Sequence, residues 1–504
     1  MSSTRFKPGT GGGGGVYKPK LTFEGEELDY NTDRDIHYCI RGVNKQNGIT
    51  TFSDPQLGFD HKLLDNVAKA GLRKPTPIQR HGMPQLMAGL DVMCCSHTGS
   101  GKTASYLLPI ITKILRESTI AANTGHTSSS SSGSASSSSS STSSSAPERK
   151  PKTFPAALIL CPTHELALQI SNDANMFGKG LPVESFAVFG GQSMGIELSR
   201  LKRGTVNILV ATPGRLLHLL TEFDVLSLGK VKYFVVDEAD EMFDRGFFPQ
   251  IGDIVNQFLT PKDERTNALF SATFPNQIQH FAKKQLRSGY IFVVIGILGG
   301  ASPDVCQEIV CASRAEKQMK IHKIVENLEN EDKKLLVFCN SIEKVNEVAD
   351  FLVRGEFKAA RIHSDLTQSE RTQSLKDFEA GRATILVATS VAARGLNIRG
   401  VDLILNYELP TNITEYIQRI GRTGRVGVAG ETISFFDEDT DAELANDLVG
   451  ALSSGNQNVP EFLSDVCEAA GEEKEYETEE DLYFKMKKLK IKRCADYFEE
   501  EDAW

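Results

Sequence analysis

The sequence predicts an α/β protein: two tandem domains, each a mostly parallel sheet with helices on both faces. Three observations predict it. Between about Thr51 and Gly300, short apolar runs (VMCCS, AALILCP, VNILVATP, YFVVDEAD, NALFSATF, IFVVI) alternate with helical segments. From about Ala301 to Leu463 a second series follows the same rhythm: IVCAS, LLVFCNS, AARIHSD, TILVATS, LILNYE and ETISFF. Strands separated by helices need crossover connections, and those make parallel sheets. Third, each of the first five runs leads straight into a polar motif, and the carboxyl edge of such a sheet is where ligands bind.

Around these domains the composition changes. Residues 1–50 read as a flexible, glycine-containing N-terminal region, the first 20 of them glycine-rich and polar. Residues 128–146 are nearly all serine, so about 124–150 is expected to be a disordered insertion in the first domain, 51–300. The second domain spans 301–463, and 464–504 is a charged tail. The tail's plain reading is a solvated segment; a sharper one makes Trp504, the sole tryptophan, an anchor for a partner. The 504-residue chain carries a net charge of −10, but residues 461–504 hold 15 acidic and 7 basic side chains. The remainder is close to neutral, which leaves room for a local basic groove without predicting one. No run of about 18 apolar residues suggests a membrane span, and MSSTRFKPGTGGGGG has no signal-peptide core, so the reading is intracellular. Nine scattered cysteines without a CxxC pair read as reduced thiols.

Residues 92–103, VMCCSHTGSGKT, give an apolar strand, a glycine-rich turn and then the helical run LLPIITKIL. This matches GxxxxGK[ST], with Ser96 at the first glycine position. Small residues let the backbone of Ser96, His97, Thr98, Gly99, Ser100 and Gly101 close round a polyphosphate at a helix start. Lys102 would reach the β- and γ-phosphates, and the Thr103 hydroxyl would bind Mg²⁺. The bland alternative is a chance Gly/Ser turn before a helix. About 135 residues later, Val235-Val236-Asp237-Glu238-Ala239-Asp240 places carboxylates at the end of an apolar strand. One must hold the metal and another must orient or deprotonate a water, roles assigned to Asp237 and Glu238. A chance helix start is the alternative there.

With PTPIQ at 75–79, PTHELA at 162–167, Gly190-Gly191, TPGR at 212–215, SAT at 271–273, HSDLTQSER at 363–371, ATSVAARGLNI at 388–398 and QRIGRTGR at 418–425, the chain resembles a DEAD-box RNA helicase. The match runs over most of 52–463. GGASPDV at 299–305, the serine of ATSVAARG, and FFDEDTDAELANDLV followed by VPEFL make it similar to Vasa-type members.

The resemblance implies two RecA-like domains that close together on ATP, Mg²⁺ and single-stranded RNA. Gln79 would read adenine, whose edge an amide can both donate to and accept from. Arg422 and Arg425 would reach the γ-phosphate from the second domain, so hydrolysis would need closure; their bland reading is surface turn residues. Asp240, Ser271, Thr273 and Gln418 would couple the nucleotide site to the other domain, although a hydroxyl pair can simply cap a strand. RNA would meet Pro162, Thr163, Gly190, Gly191, Thr212, Gly214 and Arg215 in the first domain and Gln368, Arg371, Thr389 and Gly395 in the second. Hydroxyls, glycine N–H groups and guanidinium contact phosphate and ribose, so binding would be sequence-tolerant. Closure over one strand of a duplex would unstack a few pairs.

The chain departs from the family pattern in places. Leu72 stands where an aromatic stacks on adenine, His164 where an arginine contacts RNA, and Ser364 where a glycine is usual. Asn397 replaces an aspartate that meets the ribose, and Gln418 a histidine. Phe52 is the candidate upstream aromatic of the nucleotide site. A working but slow RNA-stimulated ATPase is expected. An ATP-gated RNA clamp with little turnover is the alternative, and a DNA-directed ATPase a third. The resemblance also implies a monomeric core, protein partners of unnamed identity, and a cytoplasmic or perinuclear germ-granule location.

Overall fold

The computed structural model describes residues 22–23, 26–27, 31–33, 36–97, 99–125, 152–296, 305–329, 333–393, 398, 400–423, 430–455 and 457–469. The expectations for Thr98, Gly395, Asn397, Arg425, the serine-rich insertion, most of the tail and residues 299–304 lie outside them.

The strands are β1 (Thr22–Phe23), β2 (Glu26–Glu27), β3 (Asn31–Asp33), β4 (Ile36–Arg41), β5 (Val92–Ser96), β6 (Ala157–Leu160), β7 (Ser185–Val188), β8 (Ile208–Ala211), β9 (Tyr233–Val236), β10 (Thr266–Ser271), β11 (Ile291–Ile295), β12 (Val305–Cys311), β13 (Leu335–Cys339), β14 (Ala359–Ile362), β15 (Ile385–Thr389), β16 (Leu403–Asn406) and β17 (Gly430–Phe436). The helices that position the site are α1 (His61–Lys69), α2 (Pro77–Met87), α3 (Lys102–Gly125), α4 (His164–Phe177), α5 (Met194–Leu201), α6 (Pro213–Glu222), α7 (Ala239–Asp244), α8 (Phe248–Phe258), α9 (Asn276–Gln285), α10 (Arg314–Glu329), α11 (Ile342–Arg354), α12 (Gln368–Glu379), α13 (Ser390–Ala393) and α14 (Ile413–Ile420).

The first sheet has the order β3-β4-β11-β5-β10-β9-β6-β8-β7, and the second β12-β17-β16-β13-β15-β14. Pairing is parallel throughout the second sheet. In the first it is parallel from β11 to β7, with β4 antiparallel to β11 and β3 antiparallel to β4. Both faces are covered. On β5, Val92 and Cys94 enter one core, while Met93 and Cys95 enter the other. On β13, Leu335, Val337 and Cys339 face one cluster, and Leu336 and Phe338 the opposite one. Strands buried on both faces need apolar residues at every position, which is why these runs read as continuous rather than alternating. Each such side chain contributes roughly 1.5–3 kcal/mol on burial.

Three features differ from the sequence reading. β3 and β4 add to the first sheet, so it begins inside the region taken as a flexible N-terminal segment; β3 has only three residues, and β4, IHYCIR, mixes polar with apolar residues instead of forming a continuous apolar run. β7 was not anticipated: SFAV is four residues long and opens on a serine. Phe52, expected at the nucleotide site, is 6% exposed and has its ring packed in the core with Ile49, Leu57 and Leu63.

Candidate nucleotide site and nucleic-acid face

β5 delivers Ser96, 2% exposed, to the carboxyl edge of the first sheet, and α3 begins six residues later at Lys102. Between them the chain turns through Gly99 (φ 78°) and Gly101 (φ 93°), conformations that side chains resist. At Gly101 a Cβ would also stand 2.4 Å from Gln79 Nε2 and 3.0 Å from Thr76 Oγ1. The loop is braced from inside: the Ser96 and Ser100 hydroxyls are 2.7 Å apart. Gln79 is buried, donates to Gly101 O at 3.1 Å and accepts from Thr76 N–H at 3.0 Å. Its amide therefore joins α2 to the phosphate loop. Leu72 is half-buried against the same core.

Lys102 Nζ lies 3.2 Å from Ser96 O and 3.6 Å from a Glu238 carboxylate oxygen. Burial works against its ammonium, but Glu238, Asp237 and Asp240 hold its pKa above the ordinary lysine value. Asp237, 2% exposed, directly follows β9, the second strand over from β5. Its Oδ2 accepts from Tyr106 O–H at 2.7 Å and its Oδ1 from Glu238 N–H at 3.0 Å. Burial and then the Glu238 carboxylate push Asp237 up to about 6, against Lys102 and the Tyr106 hydrogen bond. Glu238 itself has φ 50° and ψ 55° at the start of α7. A non-glycine residue held there marks strain that the surroundings must enforce.

Tyr106 was missed by the sequence reading. It lies one turn after Lys102 on α3, and its hydroxyl ties that helix to the carboxylate that follows β9. The spacing Lys102–Tyr106 was the available signal.

Asp240 ties the next strand in. Its Oδ2 accepts from Ala272 N–H at 3.2 Å, Thr273 N–H at 3.0 Å and the Thr273 hydroxyl at 3.1 Å. Asp240 N–H donates to Ser271 Oγ at 3.3 Å. Asp240, Ser271 and Thr273 are thus brought together. Gln418 sits apart from them on α14, 8% exposed, with its Oε1 buried and without a hydrogen bond. It lines a small niche with Arg422, Arg419, Ser390 and Phe338.

The expected nucleic-acid residues of the first domain occupy the carboxyl ends of adjacent strands β6, β8 and β7. Pro162 and Thr163 follow β6, and Thr163 caps α4 by accepting from Leu166 N–H at 3.2 Å. Gly190 and Gly191 follow β7, with Gly191 at φ 84°. Thr212 precedes α6, which carries Gly214 and Arg215, and its hydroxyl makes no capping bond. In the second domain Thr389 ends β15, while Gln368 and Arg371 open α12. The two sets meet: Arg371 Nη2 is 2.7 Å from Glu165 Oε1, and Gln368 Nε2 donates to that oxygen at 3.2 Å. His164 stacks on Phe189, centroids 5.3 Å apart, and burial lowers its pKa, which favours the neutral ring.

A DEAD/DEAH box helicase model matches residues 76–281, and a helicase conserved C-terminal domain model matches 316–427. The chain is 40% identical over 417 residues to a probable ATP-dependent RNA helicase vasa-like of Penaeus vannamei, covering 82% of this chain and 55% of that one. It is 39% identical over 429 residues to ATP-dependent RNA helicase DDX4 of Mus musculus, covering 85% and 57%. The chain spans about half the length of the curated relatives it matches. Among solved structures it is similar to S. cerevisiae Dbp5 bound to RNA and ADP BeF3, with a TM-score of 0.64, 25% identity, and 83% and 99% of the two chains covered. The two parallel sheets are therefore RecA-like domains, and with a phosphate loop, a DEAD strand end and two helicase models in tandem, this chain belongs to the DEAD/DEAH box helicases, similar to their Vasa-like members.

Proposed function

We propose that this chain is an RNA-stimulated ATPase that closes its two domains over single-stranded RNA, hydrolyses ATP in the closed state, and so separates short duplexes or remodels RNA–protein complexes. The observation that carries this reading is the convergence of Lys102, Asp237 and Glu238 at one sheet edge. The ion pair between Glu165 and Arg371, which joins the two domains beside that edge, supports coupling to RNA. So does the likeness to Dbp5 bound to RNA and ADP BeF3.

The residues fit a magnesium nucleotide. Asp237 is a buried carboxylate held above its ordinary pKa, and a dication beside it would restore its charge. Among the described residues no cluster of three or more His, Cys, Asp or Glu forms a protein-only cage. Magnesium characteristically takes one or two carboxylates and completes its shell with phosphate and water. Asp237 and Thr103 would hold it, and it would supply charge neutralisation at the phosphates. Lys102 would leave Ser96 O for the phosphates. Glu238, held in its strained conformation, would orient the attacking water. Arg422 would bring guanidinium charge from the second domain. Glycine N–H groups and hydroxyls along β6, β7 and β8 would grip the RNA backbone without reading bases.

The relatives' names suggest a Vasa-like role, which would put the protein in the cytoplasm, in germ granules. Among the described residues no helix is long and apolar enough to cross a membrane. The test is phosphate release by the full chain with and without a single-stranded oligoribonucleotide. RNA should stimulate it severalfold, DNA should not, and Glu238→Gln should reduce it by at least about 100-fold. A Glu238→Gln rate equal to wild type would defeat the reading. Duplex release over many ATP turnovers separates a helicase from an ATP-gated clamp.

A further inference from the structure

The first-domain face assigned above to RNA is held from beneath by a carboxylate to which the family motifs give no role. Glu197 lies on α5, and its side chain is 0% exposed. Its Oε1 accepts from the N–H of Phe189 at 3.2 Å, the residue just before Gly190-Gly191. Its Oε2 lies 3.6 Å from Arg215 Nε and makes no hydrogen bond. Arg215 is steered further: Nη2 donates to Gln192 O at 3.0 Å, and Nη1 lies 3.6 Å from Met194 Sδ. One side chain thus touches both the glycine turn after β7 and the arginine after neighbouring β8.

A neutral acceptor would satisfy the Phe189 N–H. A buried charge is costly, so a carboxylate here calls for another reason. The reason lies in its second oxygen, which faces a guanidinium too far away for a tight fork. Such a pair orients Arg215 by charge, and the second N–H on each Nη, beyond those directed at Gln192 O and Met194 Sδ, remains to meet another anion. Burial raises the Glu197 pKa above the ordinary carboxylate value, while the Phe189 N–H, Arg215 and, least, His218 act in favour of the ionised form.

We infer that Glu197 is a positioning residue for RNA: its charge holds Arg215 beside the Gly190-Gly191 turn, so that guanidinium and backbone N–H groups meet the same stretch of phosphates. This rests on the RNA reading given above. The test titrates a single-stranded oligoribonucleotide into the phosphate-release assay with full-length wild type, Glu197→Gln, Arg215→Met and the double variant. Glu197→Gln keeps the size and an acceptor for Phe189 N–H. It should raise the RNA KM about three- to tenfold, with kcat at saturating RNA and the ATP KM unchanged. In the Arg215→Met background the same change should add less than about twofold. An unchanged RNA KM, additive effects, or a loss of kcat accompanied by a lower Tm would each overturn the inference. A wild type that RNA does not stimulate would instead overturn the functional reading, before any variant is compared.

Discussion

Arg371 of the second domain and Glu165 of the first form an ion pair at 2.7 Å, with side chains only 16% and 9% exposed. Glu165 follows Pro162 and Thr163, and Arg371 shares α12 with Gln368, so the pair joins the two surfaces expected to hold RNA. A pair this sheltered is screened far less than one at the surface, and removing one partner leaves the other uncompensated. Glu165→Ala should therefore lower RNA-stimulated kcat/KM by about tenfold. Steady-state ATPase rates at varied RNA measure this, and an unchanged value would mean that the pair plays no part in joining the domains.

Gly101→Ala should abolish nucleotide binding while leaving the fold intact. The added Cβ would collide with Gln79 Nε2 at 2.4 Å, and φ 93° already disfavours it. Relief would require the Gln79 amide to give up its bond to Gly101 O, opening the loop. Titration with a fluorescent ATP analogue should show affinity reduced by more than about 100-fold, with far-UV circular dichroism unchanged.

Asp237 makes stability depend on pH in an unusual direction. Its value of about 6 in the folded chain exceeds the ordinary 3.8, so the folded state holds a proton that the unfolded chain has lost. Its ionisation therefore opposes folding, and the cost develops as pH rises from about 4 through about 6. In the absence of nucleotide and metal, Asp237→Asn should raise stability at pH 7.5 by about 1–3 kcal/mol. The gain should vanish below about pH 4. Thermal melts across that range measure it.

Tyr106→Phe should move the same titration upward, because the Tyr106 hydrogen bond favours the Asp237 carboxylate. The acid limb of ATPase kcat/KM should shift to higher pH by about half a unit to one unit. A shift in the opposite direction would contradict the assigned hydrogen bond.

Ser271→Ala with Thr273→Ala removes two hydroxyls bonded to Asp240, while the backbone N–H bonds of Ala272 and Thr273 remain. ATP binding should persist, and duplex separation should fall more than hydrolysis. Parallel unwinding and phosphate-release assays would show whether the two activities separate.

Much of this site was legible in the sequence because it depends on local chain geometry. A phosphate loop needs glycines at set spacing, and Gly99, Gly101, Lys102 and Thr103 sit where that spacing put them. The DEAD carboxylates and the SAT hydroxyls were readable as strand ends, and the structure brings Asp240 to Ser271 and Thr273. What escaped was set by tertiary packing. Tyr106 looks like any core aromatic until β9 comes beside α3, and Glu197 like any helix carboxylate until the carboxyl ends of β7 and β8 meet over it. β4 became a strand by pairing with β11, some 250 residues away in sequence. That the Phe52 ring packs among core residues was likewise set by tertiary structure.

The central claim is that nucleotide and RNA together fix the relative placement of the two domains. It is tested most directly by energy transfer between one dye on α1 and another on α11, elements of the first and second domains. The account predicts a single high-transfer population with both an ATP analogue and an oligoribonucleotide bound, and a broader, lower-transfer distribution with either alone. Transfer that ignores both ligands would contradict it.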